Sequence, residues 1–539
     1  RSEQALRESD RGIVQPPDSP AGLGLARTLR PELDKIDLRL TGADQILPWL
    51  DGAISARLFE TSTRAGLGLG AEGQPLRQAI RRKGGTLNLQ LNAELDGWLV
   101  ALSGQYSHER RSVLTDAASN ALATAGRSRT AATTRIVDLD VDASRSVVEL
   151  PAGPLNLSLR GRLSRESVAG QQLRFVQWIR EVGLGLELPI ASAAAGVLAP
   201  LGELSAGLEL TRSQVSRLGA MSSATWSAQW QPADWLRIAG SVTAGQSPVG
   251  VDLLAAPVIE TPGVRYTDPL TGETTDVTQV SGGNPGLRSQ RTTARSLSVA
   301  LRPIPSHPLL ISMDYSATRS RNLVAALPSG SELLLLAFPD RFFRGPDGSL
   351  VRVDVRPVNF DSRSEDLLRT SVDLSLPLSG SGARIQFNLA HSWLLRSRLK
   401  LSDDQPETDL LSPTAIALGD VPRPRHQIDA SLVFADRGLG ISLYAQHRSA
   451  SFLSIGTSAS PNILRFAPLT RIDVRLFVTG KRLTSLPLLE GMRFTLGVTN
   501  LFNSRERVRD LSGQTPLAYQ PAYRDSTGRT VLLEIRKVF

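Results

Sequence analysis

The sequence predicts an all-β fold: a large antiparallel transmembrane β-barrel of the outer-membrane type, with about 20 to 22 strands, short periplasmic turns and long extracellular loops. Three observations predict it. Apolar and polar residues alternate with period two along most of the chain. The connections between the alternating segments are by turns short and long, as when all long loops lie at one end of a barrel. The final segment, Thr530 to Phe539, sets Val531, Leu533, Ile535 and Phe539 against Leu532, Glu534, Arg536 and Val538, and closes on an aromatic residue. One face of that strand suits lipid and the other a wet interior. Lys537 breaks the apolar row only near the strand end, where a long cation can reach the interface.

Residues 1–33 read as a lead-in segment, a remnant of a linker or an early strand, and 34–539 as the barrel. Alternation is first clear at Thr86, where Leu87, Leu89, Leu91 and Ala93 oppose Asn88, Gln90, Asn92 and Glu94. The turn Leu95-Asp96-Gly97 leads to the apolar row Trp98, Val100, Leu102 and Tyr106. A second hairpin has Val137, Leu139 and Val141 opposite Asp138, Asp140 and Asp142. It turns at Pro151-Ala152-Gly153 and returns with Leu155, Leu157, Leu159 and Leu163 opposite Asn156, Ser158, Arg160 and Arg162. If that turn centres near residue 151, Asp142 and Arg160 become cross-strand neighbours on the inner face. Further short turns fall near 231–234, 303–308, 379–382 and 436–439. Long polar stretches fall near 110–133, 246–287, 321–362, 399–421, 450–465 and 503–525. Trp226 and Trp230 share a face, and Trp230 and Trp98 abut short turns, as girdle residues at a periplasmic interface do. Counting gives roughly 17 strands from Thr86 onward and two or three more between Asp34 and Leu69, too wide a barrel for side chains alone to fill.

Composition excludes several other classes. No apolar run reaches the roughly 18 residues of a membrane helix; the best, Leu188 to Leu201, is cut by Pro189 and Pro200. There is no cysteine, so disulfides and thiolate chemistry are absent. The net charge is +9, and the only lysines are Lys35, Lys83, Lys400, Lys481 and Lys537. The rest of the basic charge is arginine, spread evenly and without a patch interleaved with aromatics, so a nucleic-acid partner is not expected. Arginine forks suit carboxylate networks in a wet lumen; a GC-rich genome gives the same composition.

Four segments, in order, resemble the barrel of TonB-dependent outer-membrane receptors. Trp230-Gln231-Pro232-Ala233-Asp234-Trp235-Leu236 resembles the family's Trp-x-Pro-x-x-Trp-Leu hairpin. Gly283-Asn284-Pro285-Gly286-Leu287 resembles the segment where an extracellular loop re-enters the barrel. Thr499-Asn500-Leu501-Phe502-Asn503 resembles its penultimate-strand element, and Tyr523 to Phe539 its closing strand. The likeness covers residues 220–539 well and 34–219 loosely. It implies a 22-stranded barrel in a bacterial outer membrane that takes up a large, scarce nutrient such as an iron chelate, a cobalamin-like cofactor or an oligosaccharide. It also implies contact with outer-membrane lipid and with the barrel-insertion machinery through Phe539. Here Gly-Asn-Pro-x-Leu continues with Arg288-Ser289-Gln290 in place of the family's basic residue, Pro and Glu. No plug domain or coupling motif is recognisable within the chain. Coupling to TonB is therefore expected only if a plug precedes Arg1, and a plugless passive channel is the alternative.

Chemical motifs are weak. Gly68-Leu69-Gly70-Ala71-Glu72-Gly73 matches a dinucleotide fingerprint but lacks a packed βαβ setting. Ser397-x-x-Lys400 matches a serine–lysine spacing without its companion motifs. His108, His307, His391, His426 and His447 have no partner at ligand spacing; His108 and His447 fall near extracellular strand ends, within reach of a ligand or simply solvated. Asp403, Asp404, Glu407 and Asp409 could hold calcium or form a solvated loop. Asp138, Asp140 and Asp142 read as a charge ladder with Arg160 and Arg162 rather than a metal site. No Ser/His/Asp set can be assembled, so no enzyme, cofactor or metal is expected, and ligand-binding residues stay unassigned.

The terminal aromatic yields a kinetic expectation. If Phe539 is read by the insertion machinery, deleting it should reduce assembly in cells far more than refolding into detergent; normal assembly of the truncated chain, followed by heat-shifted migration on gels, would remove that role.

Overall fold

The computed structural model describes residues 2–15, 19–70, 72–116, 127–170, 174–271, 273–304, 308–327, 331–378, 382–413, 415–416, 422–457, 461–483 and 489–537. Phe539 and His307 lie outside the described residues. One antiparallel sheet of 21 strands forms the wall. Two of its strands are two-residue pieces, Ser2–Glu3 and Thr408–Asp409. The long strands are β1 (Glu32–Leu47), β2 (Leu50–Leu69), β3 (Pro75–Leu95), β4 (Trp98–Asp116), β5 (Arg127–Leu150), β6 (Gly153–Gly170) and β7 (Arg174–Ala191). They continue as β8 (Glu203–Val215), β9 (Gly219–Ala233), β10 (Leu236–Ser247), β11 (Gln290–Leu301), β12 (Leu309–Ala325) and β13 (Val358–Leu378). The last are β14 (Ala383–Lys400), β15 (His426–Asp436), β16 (Leu439–Arg448), β17 (Leu469–Thr479), β18 (Met492–Thr499) and β19 (Thr530–Lys537).

Each long strand pairs antiparallel with the next, from β1 through β19. The register carries the alternation across the whole wall. Leu87 faces Tyr106, which faces Val137; Leu159 faces Leu184; Leu208 faces Trp226, which faces Val242; Leu496 faces Leu533. These residues form the outward apolar band, and their exposure is that of a surface awaiting lipid. No helix among the described residues is long and apolar enough to cross a membrane.

The short turns near 95–97, 150–153, 231–234 and 436–439 sit where the sequence places them, while those near 303–308 and 379–382 fall on residues 305–307 and 379–381, outside the described residues. Asp96 and Gly97 both take positive φ (50° and 77°), as do Arg437 and Gly438 (38° and 92°). This is the primed two-residue turn whose twist matches that of the flanking strands. Trp230 lies at the same end, its indole Nε1 donating to the Leu201 carbonyl at 2.8 Å. The 110–133 stretch differs from expectation: β4 runs on to Asp116 and β5 begins at Arg127. Its described residues, 110–116 and 127–133, belong to tall strands that continue above the apolar band, and 117–126 lie outside the described residues.

The wall has a seam. No ladder joins β1 to β19 among the described residues; only Ser2–Glu3 occupies the free edge of β1, opposite Leu33 and Asp34. Leu40 on β1 and Leu533 on β19 are 76% and 72% exposed, against 44% for Leu159 and 40% for Leu496 inside the wall. β1 and β19 also run in the same sense, both toward the short turns. Antiparallel closure therefore requires an odd number of strands between them.

The two faces should respond differently to charge. Leu159→Arg, on the lipid face, should destabilise by about 2–4 kcal/mol. Asp142→Ala, which removes a hydrated ion pair on the inner face, should cost about 0–1 kcal/mol. Urea titration of both variants refolded in lipid vesicles measures the difference, and equal stability would contradict the facing.

Candidate functional site

The long loops are not loose. They fold into packed caps over the mouth of the lumen. The connection between β10 and β11, residues 248–289, carries a short helix, Val251–Ala255, and a hairpin, Ile259–Thr267 with Thr274–Ser281. The helix presses Val251, Leu254 and Ala255 against Ala132, Val168 and Phe175, on the inner face of β5 to β7. Gln177 on β7 donates to the Val249 carbonyl at 3.4 Å, and Gln78 on β3 donates to Thr261 Oγ1 at 3.2 Å. A loop rooted on β10 and β11 that reaches β3 crosses the mouth.

The Gly-Asn-Pro-x-Leu segment anchors its return. Asn284 N donates to the Leu253 carbonyl at 2.7 Å, and Asn284 Nδ2 donates to the Pro357 carbonyl at 2.8 Å. A Cβ on Gly283 would stand 2.5 Å from the Ala256 nitrogen, so the close backbone approach requires glycine.

The neighbouring 326–357 connection joins the same cap. Thr278–Val280 pairs in parallel with Arg352–Asp354, which completes a four-stranded sheet across the two loops. Beneath it Leu334, Val353, Phe360 and Leu399 are fully buried, each contributing roughly 1.5–3 kcal/mol of apolar burial. A smaller cap from 449–468 and 500–529 packs Leu453, Leu464 and Phe466 against Tyr519, with Phe466 and Tyr519 meeting edge to face at 5.8 Å.

Buried ion pairs pin these layers. Arg344 grips Asp268 through both terminal nitrogens, at 2.6 and 2.9 Å, tying the two connections of the first cap together. Burial pushes the Asp268 carboxyl up, but the Arg344 fork and the Leu270 amide overcome this and hold it below the ordinary carboxylate value. Asp354 behaves alike: burial opposes ionisation, and Arg356, with Arg341 beyond it, restores it. The N-terminal segment enters the same layer. Glu8 is fully buried; Gln15 Nε2 donates to it at 2.7 Å, with Arg27 and Arg265 at 3.9 and 3.8 Å. Arg27 also reaches Asp276 at 2.7 Å, and Val14 exchanges hydrogen bonds with Gln520. Burial raises the Tyr523 hydroxyl in this cluster against the pull of Arg27 and Arg265.

Below the caps the lumen wall is polar. Asp142 and Arg160 are cross-strand neighbours, as the turn predicts, with Arg160 Nε donating at 2.8 Å and Glu209 joining at 3.2 Å. Arg162 lies 3.3 Å from Asp138 and 3.6 Å from Asp140, which makes the aspartate row a charge ladder. A recess of about 420 Å³ is lined here by Asp51, Asn92, Asp142, Ser158, Arg160 and Glu209.

The remaining sequence candidates scatter. His108 and His447 share the register of the outward rows and point away from the lumen; their partners are Arg135 at 3.4 Å and Thr470 at 2.9 Å. His391 and His426 do meet, ring to ring at 5.3 Å, with Trp393 stacked beyond. Sequence spacing missed them because the contact spans β14 and β15. In the 403–409 loop, Glu407 is taken up by Arg398 at 3.1 Å, Asp403 is 91% exposed, and Asp409 accepts from the Leu411 amide; these carboxylates do not converge. No group of three or more His, Asp or Glu among the described residues is placed to hold a metal ion. Ser397 and Lys400 lie on opposite faces of β14, opposite Glu365 and Ser362. Gly68 and Gly70 flank the end of β2, with strand rather than helix beyond.

No protein-family model matches the chain, and no curated protein matches it. Solved structures do. The siderophore receptor PirA from Acinetobacter baumannii aligns with a TM-score of 0.60 at 11% identity, over 95% of this chain and 71% of that one. The ferric enterobactin receptor PfeA from Pseudomonas aeruginosa gives 0.63 at 12% identity, over 96% and 72%. The RagAB peptide transporter structure gives 0.58 at 10% identity, over 94% and 72%. The chain has the barrel fold of these outer-membrane receptors.

The Asp268–Arg344 pair fixes the pH behaviour of the first cap. Removing Arg344 strands a buried carboxylate, so Arg344→Met should cost about 3 kcal/mol of local stability at pH 7. The native Asp268 value lies below the ordinary one, so its stabilisation holds above about pH 4 and is lost as pH falls through the native value. In the variant burial acts unopposed and raises the carboxyl, so protonation relieves it. Hydrogen exchange over 264–281 and 342–354 should show the gap between native and variant narrowing as pH drops from 7 to about 4.

Proposed function

We propose that this protein is a bacterial outer-membrane receptor and transporter barrel that takes up a large, scarce nutrient. One observation carries the reading: long loops with their own hydrophobic cores and buried ion pairs fold across the mouth of a wide polar lumen. A passive pore gains nothing from a cap of this kind. A receptor does, because a rigid scaffold of packed loops is where binding residues are positioned. Siderophores and peptides, handled by the proteins of similar fold, belong to the size class that needs such a device. On this reading the ligand is an iron chelate, a cobalamin-like cofactor or an oligosaccharide, and no covalent chemistry takes place.

Energised transport through TonB is proposed only together with a plug in the lumen. A second reading, a plugless channel, is favoured by the hydrated ion pairs that line the wall below the caps.

Planar-bilayer recording with the purified protein, alongside tryptophan-fluorescence titrations with ferric chelates, cobalamins, oligosaccharides and peptides, separates the two. The receptor reading expects saturable binding of one class and little steady conductance. Large steady conductance with no saturable ligand would establish the channel instead.

A further inference from the structure

The inner wall from β5 to β9 carries a trough. Its floor follows from the register. Ser144 on β5, Ser158 on β6 and Gly185 on β7 stand directly across from one another, on the same lumen-facing side as Asp142 and Arg160. The floor continues diagonally to Gly207 on β8, which faces Ser227 on β9. Four steps between neighbouring strands, about 4.8 Å each, make it about 19 Å long. Two recesses of about 420 and 600 Å³ open along it and share Ser158, Gly185 and Glu209.

The glycines of this floor are not demanded by the packing of the wall. A Cβ on Gly183, Gly185 or Gly207 would stand 3.7 Å or more from the nearest wall carbonyl. Its closer neighbours would be the Arg160 Cβ at 3.3 Å, or the hydroxyls of Ser158 and Ser227, which can turn aside. Gly84 and Gly440 are also lumen-facing and differ. There a Cβ would meet the His108 carbonyl at 2.5 Å, or run into the Phe477 ring. Glycine inside a strand weakens it and marks a place where something approaches the wall closely. Three such glycines on two adjacent strands keep the trough clear of side chains.

Polar groups line both edges. Asp142 and Arg160 stand above the floor, Asn156 and Glu187 below it, and Glu209 beside Gly185. Arg160 donates to Asp142 through Nε and to Glu209 through Nη1, which leaves Nη2 to a ligand. Asp51, Asn92 and Glu94 extend the recess toward β2 and are exposed. Trp49 and Leu99, 48% and 60% exposed, close that end.

We propose that this trough binds an unbranched oligosaccharide free of acidic groups, lying across β5 to β9 on the lumen wall. The assignment rests on the uptake reading above and selects one class of cargo within it. The site lies below the caps, so cargo meets it after passing the mouth. Sugar hydroxyls donate to the carboxylates and accept from Arg160, Asn92 and Asn156, and the apolar face of a sugar ring suits the Trp49 indole. Other classes fit less well. Asp51, Glu94, Asp142, Glu187 and Glu209 outnumber Arg145 and Arg160 around the trough, so an anionic chelate is repelled. The backbone groups of β5 to β9 are spent in the wall ladders, so an extended peptide finds no edge to join.

The test uses the full chain in neutral detergent, with titration calorimetry reading binding. The probes are maltohexaose and cellohexaose, their disaccharides, hexagalacturonate and hexalysine. One neutral hexasaccharide should bind saturably, at least about tenfold more tightly than its disaccharide and than hexagalacturonate. The variant G185L/G207L, which fills the floor, should lose about tenfold. G497L, at a roomy lumen-facing position on β18, should change binding less than about twofold. Absence of saturable saccharide binding up to about 10 mM overturns the proposal. So does equal binding of the disaccharide or of hexagalacturonate, or undiminished binding by G185L/G207L. Tighter binding of hexalysine than of either hexasaccharide also overturns it, and makes the trough the seat of a basic protein segment. If G185L/G207L does not fold, W49A and N156A decide, each expected to weaken binding about fivefold; unchanged affinity in both contradicts the site. Failure of the uptake reading shows separately, as vesicles that carry the protein, bind the hexasaccharide and admit no cargo of any class.

Discussion

The backbone of a segment in lipid has no water to turn to, and this one constraint shapes the whole wall. Every long strand from β2 to β18 satisfies its amide and carbonyl groups on both neighbours, in registers that run nearly unbroken for up to 19 pairs, as between β2 and β3. Period-two alternation follows, because a ladder that shifts by one residue would turn Leu87, Leu89 and Leu91 inward and Asn88, Gln90 and Asn92 into lipid. The same constraint makes the β1–β19 seam the anomaly of the structure. Two edges with free hydrogen-bonding groups and extra exposed leucine cannot face hydrocarbon, and their common direction sets the parity of whatever stands between them.

Charge divides the molecule along the same lines. Inside the wall, carboxylates and arginines alternate across strands in hydrated ladders whose individual worth is small. In the caps the pairs are buried: Arg344–Asp268 holds two loops together and Arg341–Asp354 braces one loop from within, so losing one partner is costly. On the outer face, Arg64 meets Glu32 and Arg319 meets Asp366 in partly exposed pairs. Position relative to water, lipid and cap therefore determines what an ion pair contributes, and residue type alone does not.

Much of the wall was legible in the sequence because strand alternation and turn chemistry are local. The Asp96-Gly97 turn, the shared face of Trp226 and Trp230, and the Asp142–Arg160 pairing all follow from residues within one hairpin. The caps were not legible. Nothing local in Val251 to Ala255 says that this helix packs against Phe175, and nothing near Thr278 says that it pairs in parallel with Arg352. Glu8, Arg27 and Arg265 meet across more than two hundred residues. The His391–His426 contact was hidden because sequence spacing was searched for ligands along one strand, while the register joins neighbouring strands. His108 and His447 were placed at the right height but lie on the outward face.

The abundance of arginine over lysine admits a genomic explanation and a chemical one, and the geometry separates them position by position. Arg57 holds Asp37 with Nε and Nη2 at 3.1 and 2.7 Å, Arg82 holds Glu109 with the same two atoms at 2.8 Å each, and Arg344 holds Asp268 with both terminal nitrogens. An ammonium cannot make those parallel contacts, so a planar fork is required there. Lys83 instead makes one contact to Glu60, and Lys400 sits between Asp361 and Asp403, where a point charge suffices. Base composition does not explain why forks stand where two parallel contacts are made and ammonium groups where a point charge suffices.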